Sequence, residues 1–269
     1  MDLELRDKRV FVSGSSSGIG AGIARYLAAE GTQVVVHGRN TERLELVRSE
    51  LAETGADVVA APGDLATDEG AEHAASIALE AFGGIDILVN NAGGSSPDHR
   101  KSWFDLPLGE WSATYEMNVV AAGRLIHRFV PGMRERQWGR VIQISSAAGI
   151  IPTSGQPDYG PAKAAMINLS MGLSKALAAT GITVNTVTPG MIMTEGLMNF
   201  LRAFAAKRGW GEDTDRAAEY VLKGCGQTVD RIGQVEDIAY AVAFLASPKG
   251  SFLNGVNLHV DGGGTQSIY

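Results

Sequence analysis

The chain has 269 residues, long enough to bury a full hydrophobic core, and its 45% hydrophobic and 20% charged residues describe an ordinary globular protein. Lys and Arg total 23 against 30 Asp and Glu, and the net charge of −7 argues against nucleic acid as main partner, because phosphate backbones are held by a basic face. The single cysteine, Cys225, excludes an intrachain disulfide and suits a reducing cytoplasm.

The first nine residues are charged and lack the apolar core of a signal peptide, and no segment reaches the roughly 18 apolar residues of a membrane span. The expectation is a cytoplasmic protein with no membrane partner. His37, His73, His99, His127 and His259 show no metal-ligand spacing, so no metal is expected.

In chain order, β-branched runs predict strands at 10–13, 33–37, 57–61, 85–90, 140–145, 183–188 and 256–260. Several are apolar at nearly every position, as strands covered on both faces are. Apolar residues at helical spacing predict helices at 19–30, 41–54, 69–82, 107–136, 158–179 and 235–247. Strict alternation of strand and helix implies a parallel sheet, since parallel strands need crossover helices. The fold class expected is α/β: one Rossmann-type, doubly wound domain over 1–269, about seven strands with helices on both faces. From 191 to 229 the alternation lapses into a segment rich in Met, Phe and Trp.

The first strand runs into Ser13-Gly14-Ser15-Ser16-Ser17-Gly18-Ile19-Gly20 and then a helix. Such glycines permit a tight turn, close backbone approach to a pyrophosphate and close helix–strand packing, while the helix N-terminus favours the phosphates. At the end of the second strand, Gly38 stands where an acidic residue would grip the adenosine ribose of NAD, and Arg39 follows. A guanidinium holds a 2′-phosphate by charge-assisted bonds, so NADP(H) is preferred and NAD(H) remains possible. Asn40 reads as the cap of the next helix and also borders the adenosine end. Asp64 and Leu65 follow the third strand, where Asp64 reads equally as an adenine contact or as a cap for the helix near Glu69.

After the fourth strand comes Asn90-Asn91-Ala92-Gly93, which braces backbone and leaves room for a flat ligand. Asn118 lies beside an apolar stripe of Trp111, Tyr115, Val119 and Ala122, where an amide needs buried partners. Ser146 ends the fifth strand. Tyr159 and Lys163 share a helix face at i, i+4, with Pro161 tolerated in the first turn.

Together with Met117-Asn118-Val119, Pro189-Gly190-Met191-Ile192-Met193-Thr194 and Val260-Asp261-Gly262-Gly263, these motifs resemble the single-domain short-chain dehydrogenases/reductases over the whole chain. The nearest flavour is the 3-oxoacyl reductase type. The resemblance implies that Tyr159 is the acid/base, that Ser146 binds the substrate oxygen, and that Lys163 holds the nicotinamide ribose and tunes Tyr159. It implies that Asn118 carries a water relaying the proton. Gly14, Ser16, Ser17, Gly18, Ile19 and Gly20 would cradle the cofactor, with Asp64 at adenine and Asn91, Ala92 and Gly93 beside the adenosine ribose. Pro189, Gly190, Ile192 and Thr194 would meet the carboxamide and pyrophosphate. Two positions depart from the family: Ser13 replaces a threonine but keeps its hydroxyl, and Ser17 replaces a basic residue.

The chemistry implied is reversible hydride transfer between NADP(H) and a carbonyl or alcohol. The alternatives are an NAD-preferring alcohol dehydrogenase, a nucleotide-sugar epimerase, or a non-catalytic nucleotide sensor. A free phenol titrates near ~10 and must approach ~7 to work both ways, at a cost of about 4 kcal/mol. One cation at about 4 Å contributes roughly 4 kcal/mol at an effective dielectric near ~20, so Lys163 is expected to supply most of the shift. In the segment 191–229, expected to be a substrate lid, Leu197, Phe200, Leu201 and Phe204 make one apolar helix face. With Met191, Met193, Met198 and Trp210 it reads either as a pocket for a bulky apolar substrate or as a helix packed on the body. The helix at 158–179 is apolar or small nearly all round, which predicts cover by a second subunit in a homotetramer or homodimer.

Overall fold

The computed structural model describes residues 2–95 and 102–265; His99 lies outside them. Seven strands form one parallel sheet: β1 (Arg9–Val12), β2 (Gln33–Gly38), β3 (Val58–Pro62), β4 (Ile87–Asn90), β5 (Gly139–Ile144), β6 (Ile182–Pro189) and β7 (Asn257–Val260). Their order, β3-β2-β1-β4-β5-β6-β7, reverses direction between β1 and β4. At that reversal the crossover helices diverge to opposite faces and leave a crevice beyond the strand carboxyl ends, where a ligand fits. Register is set by the runs of Val and Ile, with Val10 opposite Val34 on one side and Ile87 on the other.

Side chains alternate between two cores. Val10, Val12, Val34, Val36, Val89 and Ile142 face α1 (Gly18–Ala29), α2 (Thr41–Glu53) and α9 (Val235–Ala246). Phe11, Val35, Leu88, Val141 and Val184 face α3 (Asp68–Phe82) and α5 (Ala121–Glu135), with α6 (Tyr159–Ala176) packed beside them. Both faces are dry, which is why the strands read as continuous apolar runs rather than alternating ones.

The predicted helix at 107–136 is interrupted. It divides into α4 (Leu108–Tyr115), a π-helical turn (Glu116–Val120) and α5. Asn118 Nδ2 donates to the carbonyl of Thr114 at 2.7 Å, the acceptor that the Asn118 backbone N–H would use in an α-helix. The ladder therefore slips by one residue. Asn118 is completely buried; of the expected apolar stripe Ala122 is buried, Trp111 and Val119 are partly buried, and Tyr115 is 44% exposed.

Between residues 191 and 233 stand α7 (Glu195–Lys207) and α8 (Thr214–Gly224). The excursion is closed at its base by a bridge between Ile192 and Gly233, where Met193 N–H donates to Gly233 O at 2.8 Å and Gly233 N–H to Met191 O at 3.0 Å. Among the described residues no helix is long and apolar enough to cross a membrane.

The end of the sheet opposite the crevice is fastened by Asp86, whose carboxylate accepts from Arg9 Nε at 2.8 Å and lies 3.4 Å from Arg136 Nε. Although burial pushes the carboxyl pKa up, the hydrogen bonds and charge of Arg9, with Arg136, hold it below its usual value. A depressed carboxylate stabilises the fold above its unfolded pKa near ~4 and loses that contribution as pH falls through the folded value. Asp86→Asn is therefore expected to cost roughly 1–2 kcal/mol at neutral pH after solvent screening, with the difference from wild type shrinking in acid. Denaturant unfolding at pH ~7 and ~3 checks it; a pH-independent difference contradicts the pairing.

Candidate active site

At the carboxyl end of β5 the chain places Ser145 and Ser146. Ser145 Oγ donates to the backbone carbonyl of Lys163 at 2.8 Å, and Lys163 Nζ donates to the carbonyl of Ile144 at 3.0 Å. These two bonds lock the second turn of α6 onto the strand end. Tyr159, one turn earlier, presents its ring with the centroid 5.6 Å from Lys163 Nζ. Ser146 hydrogen-bonds the Tyr159 phenol, while its Oγ accepts from Ala148 N–H at 3.2 Å.

Both ionisable groups are shaped by burial. Desolvation lowers the Lys163 ammonium to about 8 from 10.5, and among the described residues no carboxylate opposes it. Burial pushes the Tyr159 phenol up, and the Ser146 bond only partly offsets this. Burial of the phenol thus opposes the downward shift expected from Lys163.

Asn118 closes the far side. Its Nδ2 also donates to Gly94 O at 2.7 Å, and its Oδ1 accepts from Gly94 N–H at 3.1 Å, strapping the loop after β4 to the π turn. Gly93, at φ 152°, lies between the groups: a Cβ there would come within 2.3 Å of Asn118 Oδ1 and 3.3 Å of Lys163 Nζ. Thr114 Oγ1 donates to Asp158 Oδ2 at 2.5 Å, joining α4 to the residue preceding Tyr159.

The glycine turn follows β1 and is docked on the loop after β4. Ser13 Oγ accepts from the amides of Asn91 and Ala92, each at 2.9 Å, and donates to Val89 O at 3.2 Å. Asn91 Nδ2 donates to the carbonyls of Ser13 and Gly14 at 2.9 and 3.1 Å. A Cβ at Gly20 would meet Gly14 O at 2.3 Å, which is the close helix–strand contact the motif requires. Next to the turn is a cavity of about 240 Å³, walled by Gly14, Ser16, Ser17, His37, Gly38, Arg39, Asp64, Leu65, Ala66, Ala92, Gly93 and Met117. Gly18 approaches Thr194 to 3.6 Å, measured from a built Cβ, so the turn and the start of α7 border one crevice.

A family model described as short chain dehydrogenase matches residues 8–203. The chain belongs to the short-chain dehydrogenase family. It is an oxidoreductase acting on CH–OH groups. Over the full length of both chains it is 36% identical to the uncharacterized oxidoreductase YvaG of Bacillus subtilis. It is 32% identical to the 3-oxoacyl-[acyl-carrier-protein] reductase FabG of Vibrio cholerae, covering 97% of this chain and 98% of that one. The L-sorbose reductase of Gluconobacter frateurii, solved with NADPH and L-sorbose, superposes with TM-score 0.94 at 32% identity, covering both chains completely.

Many of the residues expected at the site lie at the crevice, and their hydrogen bonds define what each does in the protein. Asn91 braces backbone as its motif predicts, its Nδ2 donating to the turn's carbonyls. Asn40 Oδ1 caps α2 by accepting from Arg43 N–H at 2.9 Å, and Asn40 is not in the cavity wall. Ile192 buries its side chain in the core. Pro189 ends β6, and Gly190 N–H donates to Val260 O at 3.0 Å. The cap reading of Asp64 is overturned, since Thr67 caps α3 by accepting from Gly70 N–H at 3.0 Å, and Asp64 is left in the cavity wall.

The bulky-pocket reading of the apolar face of α7 also loses its main residues. Leu201 and Ala205 pack against Ala217 of α8 and Ile232, with Leu197, Met193 and Phe204 around them. Phe204, Trp210 and Tyr220 form an aromatic cluster with centroids about 6 Å apart, capped by Arg208 at 4.4 Å from the Tyr220 ring. Local sequence did not single out Thr114 and Asp158, because a buried threonine–aspartate pair 44 positions apart has no local signature.

An ammonium whose pKa burial lowers destabilises the fold while charged, below pH about 8, and that cost fades toward 10.5. Lys163→Met is accordingly expected to leave the melting temperature unchanged or raised by a few degrees at neutral pH while catalysis is lost. Calorimetry decides this; a fall of more than about 5 °C would show that the Ile144 bond outweighs desolvation.

Proposed function

We propose that the chain transfers a hydride between NADP(H) and a small carbonyl or alcohol substrate, with Tyr159 as the acid/base. The observation that carries this reading is the placement of Tyr159 against Ser146 and of Lys163 against Ile144 and Ser145 at the carboxyl edge of β5, beside the glycine turn. When bound, NADPH supplies the hydride and takes no other part that the protein must perform.

The residues present fit that nucleotide. A Cβ at Gly38 would lie 2.7 Å from Ser16 Oγ, so the acidic side chain that favours NAD has no room there. Arg39 stands in the cavity wall, free to take a 2′-phosphate by charge-assisted bonds. The backbone of the turn and the N-terminus of α1 suit a pyrophosphate, and Ala92 and Gly93 leave space for flat groups. The likeness to a reductase solved with NADPH points the same way.

In reduction, Ser146 donates a hydrogen bond to the carbonyl oxygen and Tyr159 delivers its proton to that oxygen. Lys163 keeps the site positive and holds the nicotinamide ribose. Asn118 maintains the loop at Gly93 and Gly94, close to Lys163, and holds the water that reprotonates Tyr159. A phenol raised by burial is neutral at physiological pH, which suits the donor role in reduction.

With Phe204 and Trp210 committed to the lid's own core, the case for a bulky apolar substrate weakens. A small polar ketone of the keto-sugar type becomes the preferred substrate class, in line with the likeness to L-sorbose reductase. The residues at 191–229 serve as the lid of a single catalytic domain. The outer face of α6 exposes Pro161, Ala164, Asn168 and Met171, an uncharged strip suited to a homodimer or homotetramer, and the reducing cytoplasm is the compartment proposed.

One panel tests the chemistry: keto sugars and a 3-oxoacyl thioester, with NADPH and NADH, followed at the nicotinamide absorbance. Tyr159→Phe should lower turnover about a thousandfold. Arg39→Ala should weaken NADPH about tenfold and leave NADH unchanged. Reduction should hold level through neutral pH and fall only above the phenol's raised pKa, whereas oxidation, which needs the phenolate, should rise with pH. Undiminished turnover by Tyr159→Phe defeats the mechanism. Light scattering at micromolar concentration should report a dimer or tetramer, and a monomer refutes the assembly.

A further inference from the structure

His37 is used by none of the steps above, yet it is among the most constrained side chains of the crevice. It closes β2, is buried, and stacks tilted on Phe11 with centroids 5.6 Å apart. Its Nδ1 accepts the amide of Gly14 at 3.1 Å, and its Nε2 donates to the carbonyl of Gly63 at 3.2 Å. The tautomer follows from the partners, because an amide needs a lone pair at Nδ1 and a carbonyl needs a proton at Nε2. Burial keeps the ring neutral, with its pKa lowered to about 4, so this arrangement persists at physiological pH. The backbone of the same residue is held as well: His37 N–H donates to Ser15 Oγ at 2.8 Å, and Ser15 N–H donates to His37 O at 2.8 Å.

Gly14 opens the glycine turn, and Gly63 immediately precedes Asp64. Both belong to segments that wall the same cavity, together with Arg39 and His37 itself. One imidazole thus spans the two walls between which the adenosine half of a dinucleotide fits, and fixes their separation.

We propose that His37 is a cofactor-positioning residue that sets the width of the adenosine cleft, and thereby the affinity for the adenosine 2′-phosphate half of the nucleotide, without touching the reacting atoms. The inference rests on the nucleotide reading given under Proposed function. His37→Phe keeps the stacking on Phe11 but removes both hydrogen bonds. His37→Gln offers a carboxamide able to restore one of them.

The full-length chain is titrated, without substrate, with NADPH, with 2′,5′-ADP and with nicotinamide mononucleotide. His37→Phe should weaken NADPH and 2′,5′-ADP by the same factor, about tenfold, and leave the mononucleotide unchanged. In turnover the loss should fall on the KM for NADPH rather than on kcat, and His37→Gln should recover part of it. A folded His37→Phe protein with unchanged affinity for 2′,5′-ADP overturns the proposal, as does an equal loss for all three probes, which marks a merely structural role. Should His37→Phe not fold, His37→Gln is read on the same probes: a partial loss confined to the adenosine-bearing ligands supports the proposal, and none overturns it. A wild-type chain that binds none of the probes overturns the nucleotide reading itself, an outcome distinct from a failure of His37 alone.

Discussion

A buried ammonium with no carboxylate partner among the described residues sits at the end of β5, and the structure around it holds that cation in place. Lys163 donates to the Ile144 carbonyl, its own backbone carbonyl is held by Ser145, and Gly93 passes so close that no side chain is tolerated there. Removing a cation from water costs several kcal/mol even after relaxation, so the burial of Lys163 works against stability. The same low dielectric that penalises Lys163 strengthens its field on whatever lies beside it, the phenol of Tyr159 included. Burial raises the pKa of that phenol and leaves it neutral, with the Ser146 bond only partly offsetting the rise.

The second structural element is the slipped helix. Asn118 exchanges an ordinary helical hydrogen bond for a side-chain bond to Thr114 and a double contact with Gly94, and so ties three otherwise separate segments together. Thr114 passes this link on to Asp158 and hence to the start of α6. The π turn is the backbone consequence of one asparagine side chain competing successfully for a backbone acceptor.

At the other end of the crevice the constraints are steric and neutral. Gly38 is small because Ser16 occupies the space a side chain would fill, and Asn91 and Ser13 pin the glycine turn to the loop after β4. The serine hydroxyl makes all three bonds available to it, which explains why the departure from the family's threonine does not disturb the turn.

The amino-acid sequence by itself determined the seven strands, the glycine turn with its following helix, and the one-turn spacing of Tyr159 and Lys163. These are local matters: strand and helix periods, capping residues and backbone-permissive glycines are written within a few positions of where they act. It also marked Arg39, Asp64, Asn118 and Ser146 through their places at strand ends or in motifs. Tertiary structure alone decided that Asn118 breaks its helix, that Thr67 and not Asp64 caps α3, and that Phe204 and Trp210 turn inward to α8. It alone made His37 a bridge and left Tyr159 with a raised rather than lowered pKa. Each of those outcomes depends on contacts between distant parts of the chain, such as Ser13 with Asn91 across 78 positions or Thr114 with Asp158 across 44. Hydrogen-bond partners and desolvation are properties of the packed neighbourhood, and no local pattern of residue types carries them.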